Sequence, residues 1–284
     1  MRLFRIVSYD MRQGFIQCGR KLIGIICLVL ISCLDLYLQK KGYEKRNGGI
    51  PLQGTWMDYL FFLLGGRRRF DPSVDQVFVI PVRWLLYHLY LLYAVLYYPC
   101  RDLQYSVGDL MMIKGGSRRN WWLAKCIWNM TYMAAAYVLT FVTVICFCAA
   151  AGERAGLAVT PELVHALFDT GSSYAVFAPE LSVYVCLLPC LISMALGLLL
   201  MLLSFLVKPV IAFLIAAVIL IASTYLSTGF LVGNYAMPYR SAAVLSDGFL
   251  LWQGLAAGIL ILVVCVAAGM RFFKTYDLLR HPDV

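Results

Sequence analysis

The sequence predicts an all-α integral membrane protein with six transmembrane helices, and two observations lead to this prediction. Of the 284 residues, 62% are hydrophobic and only 14% are charged. That leaves too little charge to cover the surface of a soluble domain. Several apolar runs are also about 20 residues long, the length with which an α-helix crosses a hydrocarbon core. In a soluble domain of this size, polar residues would interrupt such runs about every 5 to 12 residues.

The chain is predicted to form a single membrane domain that covers residues 1–284. The six spans are predicted at about 22–38, 77–99, 121–151, 181–207, 210–233 and 248–270. Lys208-Pro209 leaves only a very short turn between the fourth and fifth spans. The third run exceeds the thickness of a bilayer, so its first turns are expected at the interface, on Trp121 and Trp122.

A basic, amphipathic segment precedes the first span. Its apolar residues recur every four positions, at Leu3, Val7, Met11 and Phe15, and therefore share one face of a helix. Arginine and lysine occupy other positions of the same segment. This pattern is typical of a helix that lies in the plane of the lipid headgroups with its apolar side down.

Two polar segments on the opposite side contain further short helices. In the segment 39–76, residues Trp56 to Leu64 are apolar but too few to cross, which predicts an interfacial or re-entrant helix. In the segment 152–180, Thr160-Pro161-Glu162 is a helix start signal, with a capping threonine followed by proline at the first helical position.

The chain is expected in the plasma membrane, and the distribution of lysine and arginine favours an orientation with both termini in the cytoplasm. With that orientation, 14 of the 24 basic residues lie inside and nine lie outside. Seven of those nine belong to the long 39–76 segment, and long loops follow the rule less closely. The formal net charge of +9 therefore indicates a bilayer as the partner, and no nucleic acid is expected because the sequence lacks a basic groove with interleaved aromatic residues.

The sequence contains no recognisable catalytic or metal-binding motif. A phosphate-binding Gly-x4-Gly-Lys-Ser/Thr loop, a His-Glu-x2-His pair and a Gly-x-Ser-x-Gly elbow are all missing from it. The ten cysteines fall within predicted spans or near their ends, which argues against a disulfide framework. Neither the Cys146-x-Cys148 pair nor the Cys186-x3-Cys190 pair has histidine or carboxylate neighbours, so we expect no metal site.

Three polar residues are predicted within spans: Asp35, Arg83 and His88. Asp35 and Arg83 lie at similar depth, so they either pair with each other or reach separately towards the headgroups. His88 is interpreted as a hydrogen-bonded bundle residue, with a proton relay as the alternative. An ion-coupled carrier is expected to bury more ionisable groups than this at mid-depth.

The most informative segment, 101–125, connects the second and third spans. Leu103, Val107, Leu110 and Met111 recur at helical spacing, and Gly115-Gly116 ends the predicted helix. The segment predicts a short amphipathic helix held beneath the membrane, with a plain surface helix as the alternative. Its polar and aromatic residues include Asp102, Tyr105, Asp109, Ser117, Arg118, Arg119, Trp121, Trp122 and Lys125.

This arrangement resembles the type-2 permease subunits of bacterial ATP-binding-cassette (ABC) transporters. The likeness covers most of the chain in layout, and only Gly116-Ser117-Arg118-Arg119, Trp121-Trp122 and Lys125 are motif-like. In that family the loop after span two docks in a groove of a separate ATPase subunit. The residues that the resemblance assigns to this coupling are Leu103, Tyr105, Val107, Asp109, Leu110, Met111, Arg118, Arg119 and Lys125.

The resemblance implies a transport subunit that is not itself an enzyme and holds no cofactor. ATP and Mg would bind to the partner ATPase, and two identical or different permease chains would be needed. The expected task is export of a peptide, a lipid-like compound or a drug. Two features depart from the family: the first outside loop is longer and more basic, and the extracellular helices between spans five and six are hard to find in Asn234 to Asp247.

Two other functions remain open from the sequence. The chain is alternatively a ligand-binding membrane receptor or immunity protein that uses the 39–76 loop without transport. The other alternative is a membrane enzyme or scaffold.

Overall fold

A computed structural model describes residues 2–48, 51–70, 77–104, 117–167 and 180–275, and these are mainly helical. Two short 3-10 helices, Val232–Ala236 and Pro238–Arg240, lie between the last two α-helices. The α-helices among the described residues are α1 (Arg2–Arg46), α2 (Trp56–Leu64), α3 (Val82–Val95), α4 (Tyr98–Gln104), α5 (Arg118–Ala151), α6 (Pro161–Leu167), α7 (Leu181–Leu206), α8 (Pro209–Tyr225) and α9 (Leu251–Lys274).

Four helices in the described part of the chain, α1, α5, α7 and α9, are long and apolar enough to cross a membrane. Helix α8 is also apolar but has only 17 residues. These helices confirm the class of all-α membrane protein, and the count of six spans remains a prediction.

The parallel pair of α1 and α5 is the longest contact in the fold. Contacts along the pair proceed in the same direction on both helices: Asp10 meets Lys125, the Cys18 carbonyl accepts from Tyr132, and Tyr37 packs on Phe147. Ion pairs close both ends, Asp10–Lys125 at one and Lys40–Glu153 at the other. Asp10 and Lys40 are about 45 Å apart along the helix, close to the thickness of a bilayer with its headgroups. We call these ends the terminal face (Asp10, Lys125) and the loop face (Lys40, Glu153).

The N-terminal segment was predicted to be a helix in the plane of the headgroups. In the structure it is continuous with the first predicted span, and both belong to α1. Its most buried line is Ile6, Asp10, Gly14 and Cys18, and the apolar line predicted from Leu3 to Phe15 lies half-buried beside it. The lysine opposite Asp10 and the indole of Trp128 opposite Gly14 explain why polar and small residues make this contact.

The second predicted span, 77–99, is interrupted. Residues 78–81 are not helical, α3 ends at Val95, and α4 begins at Tyr98. Pro99 accounts for the break, because a proline ring within a helix clashes with the carbonyl four residues earlier, here that of Val95. At the second residue of α4 the same proline is well tolerated.

The fifth predicted span, 210–233, also ends early, at Tyr225. Buried Arg240 donates to the last carbonyls of α8, from Nη1 to Ser223 (2.5 Å) and from Nη2 to Thr224 (2.6 Å). Nη1 also contacts the side-chain oxygen of Asn234. A cation at a helix C-terminus is favourable, although burial, together with nearby Arg69, lowers the pKa of Arg240 to about 10.

On the loop face, α2 has the predicted bounds but lies inside the protein, with eight of its nine residues buried. Its Asp58 caps two helices: the carboxylate accepts from the backbone N–H and hydroxyl of Thr55 and from those of Thr160, at 2.7–3.0 Å. Burial raises the pKa of Asp58, and these four hydrogen bonds oppose the shift. Helix α6 begins at Pro161, as predicted.

Glycine at position 14 is predicted to be required for the close approach of α1 and α5. Alanine normally stabilises a helix by about 1 kcal/mol relative to glycine, but a methyl group at this position overlaps the buried Trp128 indole. Gly14→Ala should reduce the free energy of unfolding by about 1–3 kcal/mol net. The measurement is the thermal unfolding temperature of the detergent-solubilised protein, which should fall.

Gly19→Ala is the matched control, since it lies on the same helix with no atom within 4 Å of the added methyl group. It should leave the unfolding temperature unchanged or raise it. Equal behaviour of the two variants would contradict the packing of α1 on α5.

Candidate functional site

The candidate site lies on the terminal face, where α4 and α5 flank the segment predicted to be a coupling helix. Leu103 lies near the end of α4 and is buried, and Arg118 and Arg119 are the first two residues of α5. Ser117 caps α5 by accepting from the backbone N–H of Asn120 at 3.4 Å. The other predicted coupling residues, Tyr105, Val107, Asp109, Leu110 and Met111, lie outside the described residues.

A buried triad of charges connects the helices at this point. Lys125 Nζ contacts Asp10 Oδ1 at 2.6 Å and Asp102 Oδ2 at 2.7 Å. The side chains of Lys125 and Asp10 are fully buried, and that of Asp102 is 9% exposed. One ammonium group therefore bridges α1, α4 and α5 through two acidic side chains.

Aromatic side chains surround the ammonium group. The hydroxyl of Tyr98 donates to Asp10 Oδ1 at 3.0 Å, and the indole N–H of Trp121 points to Asp102 Oδ2 at 3.4 Å. Lys125 Nζ lies 4.5 Å from the ring centre of Tyr98 and 5.4 Å from that of Trp121. Cation–π contacts of this kind strengthen when they are shielded from water, so the two rings help to hold the ammonium group in place.

The triad fixes both flanks of the segment 105–116. Asp102 lies on the helix that enters this segment, and Lys125 lies on the helix that leaves it. Breaking a buried ion pair leaves an uncompensated charge in a medium of low polarity, which is costly. The two flanks are therefore joined to the N-terminal half of α1.

Trp121 and Trp122, which were predicted to be interface anchors, are covered by other helices. Both are fully buried, and they pack against Phe205 of α7 and Phe273 of α9. Trp122 Nε1 donates to the carbonyl of Val266 at 3.1 Å. The two rings face other helices because α9 crosses α5 at this point, so they join α9 to the base of the site.

Asp35 and Arg83 form an ion pair on the loop face, the first of the two alternatives considered. Arg83 Nη1 lies 2.5 Å from Asp35 Oδ2, and Gln39 donates to Asp35 Oδ1 at 2.9 Å. The guanidinium also stacks 3.6 Å from the ring centre of Phe62. Both charged side chains are about two-fifths exposed, so the pair orients α3 on α1 more than it stabilises the fold.

His88 is a bundle residue, as predicted. It is buried, with Nδ1 2.8 Å from the carbonyl of Trp84 and Nε2 3.4 Å from the hydroxyl of Tyr137. That hydroxyl also lies 2.9 Å from Ser193 Oγ. Because a carbonyl only accepts, Nδ1 carries the hydrogen and Nε2 accepts from the tyrosine. These contacts join α3, α5 and α7.

The sequence interpretation missed Asp10 and the loop-face pair of Lys40 and Glu153. One signal was present for Asp10: it is the only acidic residue before Asp35, within a strongly basic segment. An acidic residue in that setting is expected to have a specific cationic partner. For Glu153 no such signal exists, since it follows the apolar run of α5 like any loop carboxylate.

The fold and this site define an all-α membrane protein with a charged clamp at the base of one connecting segment. No protein-family model and no curated protein matches the chain. Among the described residues, no group of three or more histidine, cysteine or acidic side chains is arranged to hold a metal ion.

Replacing Lys125 is predicted to destabilise the protein strongly. Lys125→Met preserves much of the side-chain volume but leaves Asp10 and Asp102 buried without their shared cation. The free energy of unfolding should fall by about 3–5 kcal/mol. The measurement is the unfolding temperature in detergent, together with the folded fraction in size-exclusion chromatography.

The matched control is Arg119→Met, which removes a cation from the exposed first turn of the same helix. Its effect should stay within about 0.5 kcal/mol. A small effect of Lys125→Met would show that the triad does not hold the three helices together.

Proposed function

We propose that the chain is the membrane-spanning subunit of an ATP-driven ABC exporter, located in the plasma membrane with both termini cytoplasmic. Its cargo is a peptide, a lipid-like compound or a drug. ATP and Mg bind to a separate ATPase subunit, and two permease chains form the pathway. The single observation that supports this proposal most is the buried triad, which clamps both flanks of the 105–116 segment to α1.

Helix directions support six crossings. Helix α3 runs antiparallel to α1, because Arg83 near its start meets Asp35 while Lys21 donates to the carbonyl of Ala94 at its other end (3.1 Å). Helices α7 and α9 run parallel to each other, since Tyr184 near the start of α7 accepts from the backbone N–H of Leu251 at the start of α9. Helix α8, which follows α7 after a short turn, runs in the opposite direction. This alternation brings the start of α1 and the end of α9 to the terminal face.

The region between α8 and α9 also agrees with the resemblance. The family has short extracellular helices between spans five and six, and the two 3-10 helices at 232–240 occupy this position. Helix α8 ends at Tyr225, where Arg240 caps it, and the first 3-10 helix packs against α7.

The triad suggests how movement of an ATPase reaches the bilayer. Closure of two ATPase subunits pulls on the 105–116 segment, which acts as a lever. Since Lys125 joins the flanks of that lever to Asp10, the force acts on α1 and α5 together. These two helices tilt as a pair, because the Lys40–Glu153 contact joins their other ends.

The orientation is tested with introduced thiols and a membrane-impermeant maleimide. Ser117→Cys lies beside the lever, and Gln53→Cys lies exposed on the loop face. Position 117 should react only in inside-out vesicles, and position 53 should react in intact cells. The unmodified protein, with its native cysteines, provides the background. Labelling of position 117 in intact cells would invert the topology and overturn the proposal.

The ATPase partner is tested by co-purification from the native cell and by ATP hydrolysis of the purified complex. Asp109→Arg and Leu110→Asp should each abolish recovery of an ATPase with a phosphate-binding loop, while membrane insertion stays normal. Glu180→Arg, a comparable charge reversal on the exposed loop face, should leave recovery unchanged. Undiminished ATPase binding by both lever variants would show that the lever is not the docking element.

A second candidate is a ligand-binding membrane receptor or immunity protein that uses the 39–76 loop. One observation favours it: part of this loop is tightly held, since Glu153 accepts from the backbone N–H of Gly54 (3.0 Å) and from Tyr59 (2.9 Å). This candidate predicts that no ATPase accompanies the chain during purification.

A further inference from the structure

A cavity of about 460 Å³ opens on the loop face, within the size range of ligand-binding pockets. Its walls are the 66–68 segment, the 79–84 segment and single residues from α2, α6 and the second 3-10 helix. The described lining residues include the arginines at 67, 68 and 83 and no acidic side chain.

The backbone of this cavity is built rigidly. Gly66 has a left-handed conformation (φ 73°), and a Cβ atom there would lie 2.5 Å from Met237. The carbonyl of Gly65 accepts from the backbone N–H of Tyr239 at 3.0 Å, and that of Arg67 accepts from Arg240 at 3.0 Å. The segment that carries Arg67 is therefore held in place before any ligand arrives.

The opposite wall is fixed in the same way. Trp84 is buried and donates from Nε1 to the carbonyl of Ala236 at 2.8 Å. One residue earlier, Arg83 is oriented by Phe62 and by Asp35. A guanidinium group has five N–H donors, and Asp35 is its only hydrogen-bond acceptor among the described residues. Arg83 thus retains donors for an anion at the cavity wall.

An apolar strip borders these arginines. Val79, Ile80 and Val82 line the cavity and are each 46–56% exposed. Asp35, the partner of Arg83, lies about 7.5 Å along α1 from the ion-paired Lys40. Arginine side chains beside an exposed apolar strip, close to the end of the membrane helices, match a molecule with an anionic head and a hydrocarbon tail.

We propose that this cavity binds an amphiphile whose phosphate head group carries a net negative charge, with Arg67 and Arg83 holding the phosphate and the 79–82 strip contacting the tail. Arginine suits this role because its planar guanidinium group can donate two parallel N–H hydrogen bonds to the oxygens of one phosphate. Binding at this site does not require the ATPase, so it stands or falls separately from the proposed transport function.

The test uses the full-length chain alone in neutral maltoside micelles, with thermal stabilisation as the readout. Short-chain phosphatidylglycerol should bind saturably. Phosphatidylcholine of the same chain length and inorganic phosphate should each bind roughly tenfold more weakly or worse. If inorganic phosphate binds as tightly as phosphatidylglycerol, the cavity is a small-anion site and the proposal of an amphiphilic ligand is wrong. Absence of saturable phosphatidylglycerol binding would overturn the site altogether.

Two matched pairs of variants locate the site. Arg67→Gln should weaken phosphatidylglycerol binding about tenfold. Its exposed neighbour Arg69, which does not line the cavity, should tolerate Arg69→Gln with little change. Val79→Asn should likewise weaken binding more than Val77→Asn, since Val77 is exposed outside the cavity. Equal losses within each pair would show that binding reflects general surface charge and apolarity, and would exclude this cavity.

Discussion

The parallel contact of α1 with α5 is the constraint on which the rest of the structure depends. Two long helices that run side by side in a bilayer gain little from the hydrophobic effect, because lipid tails are as apolar as their own side chains. Their alignment must come from close packing and from polar contacts. Gly14 allows the close packing, and the ion pairs of Asp10 with Lys125 and of Lys40 with Glu153 fix the register at both ends.

Other helices are attached to this pair by polar contacts near their ends. On the terminal face, α4 joins through Asp102 and α9 through the aromatic group around Trp122. On the loop face, α3 joins through Arg83, while Asp58 holds α2 and α6 together. Polar groups within a bilayer have few alternative partners. Each contact therefore specifies the position of a helix more than it adds stability.

The sequence predicted the apolar helices well, because their length and composition follow directly from the thickness of a bilayer. The short helices α2 and α6 were also predicted, from an apolar run and from the Thr160-Pro161 start signal. Breaks within spans were harder. Pro99 was visible, but proline is often tolerated in membrane helices, so only the structure shows that it separates α3 from α4.

Contacts between distant residues were the part of the site that sequence could not supply. Lys125 was selected from a motif, yet its partners Asp10 and Asp102 depend on how α1 and α4 pack. Trp121 and Trp122 carry the pattern of an interface anchor, and nothing local reveals that α9 covers them. The role of Arg240 was also hidden from the sequence. Its acceptors are carbonyls that α8 leaves free by ending at Tyr225. The arginine in turn stabilises that helix end.

The two faces are held together in different ways. On the terminal face one ammonium group connects three helices at the base of the 105–116 segment. On the loop face the connections are distributed over Glu153, Asp58, Arg83 and Arg240, which hold separate segments. In the proposed function the ATPase acts on the terminal face, and the separate contacts of the loop face hold the cavity.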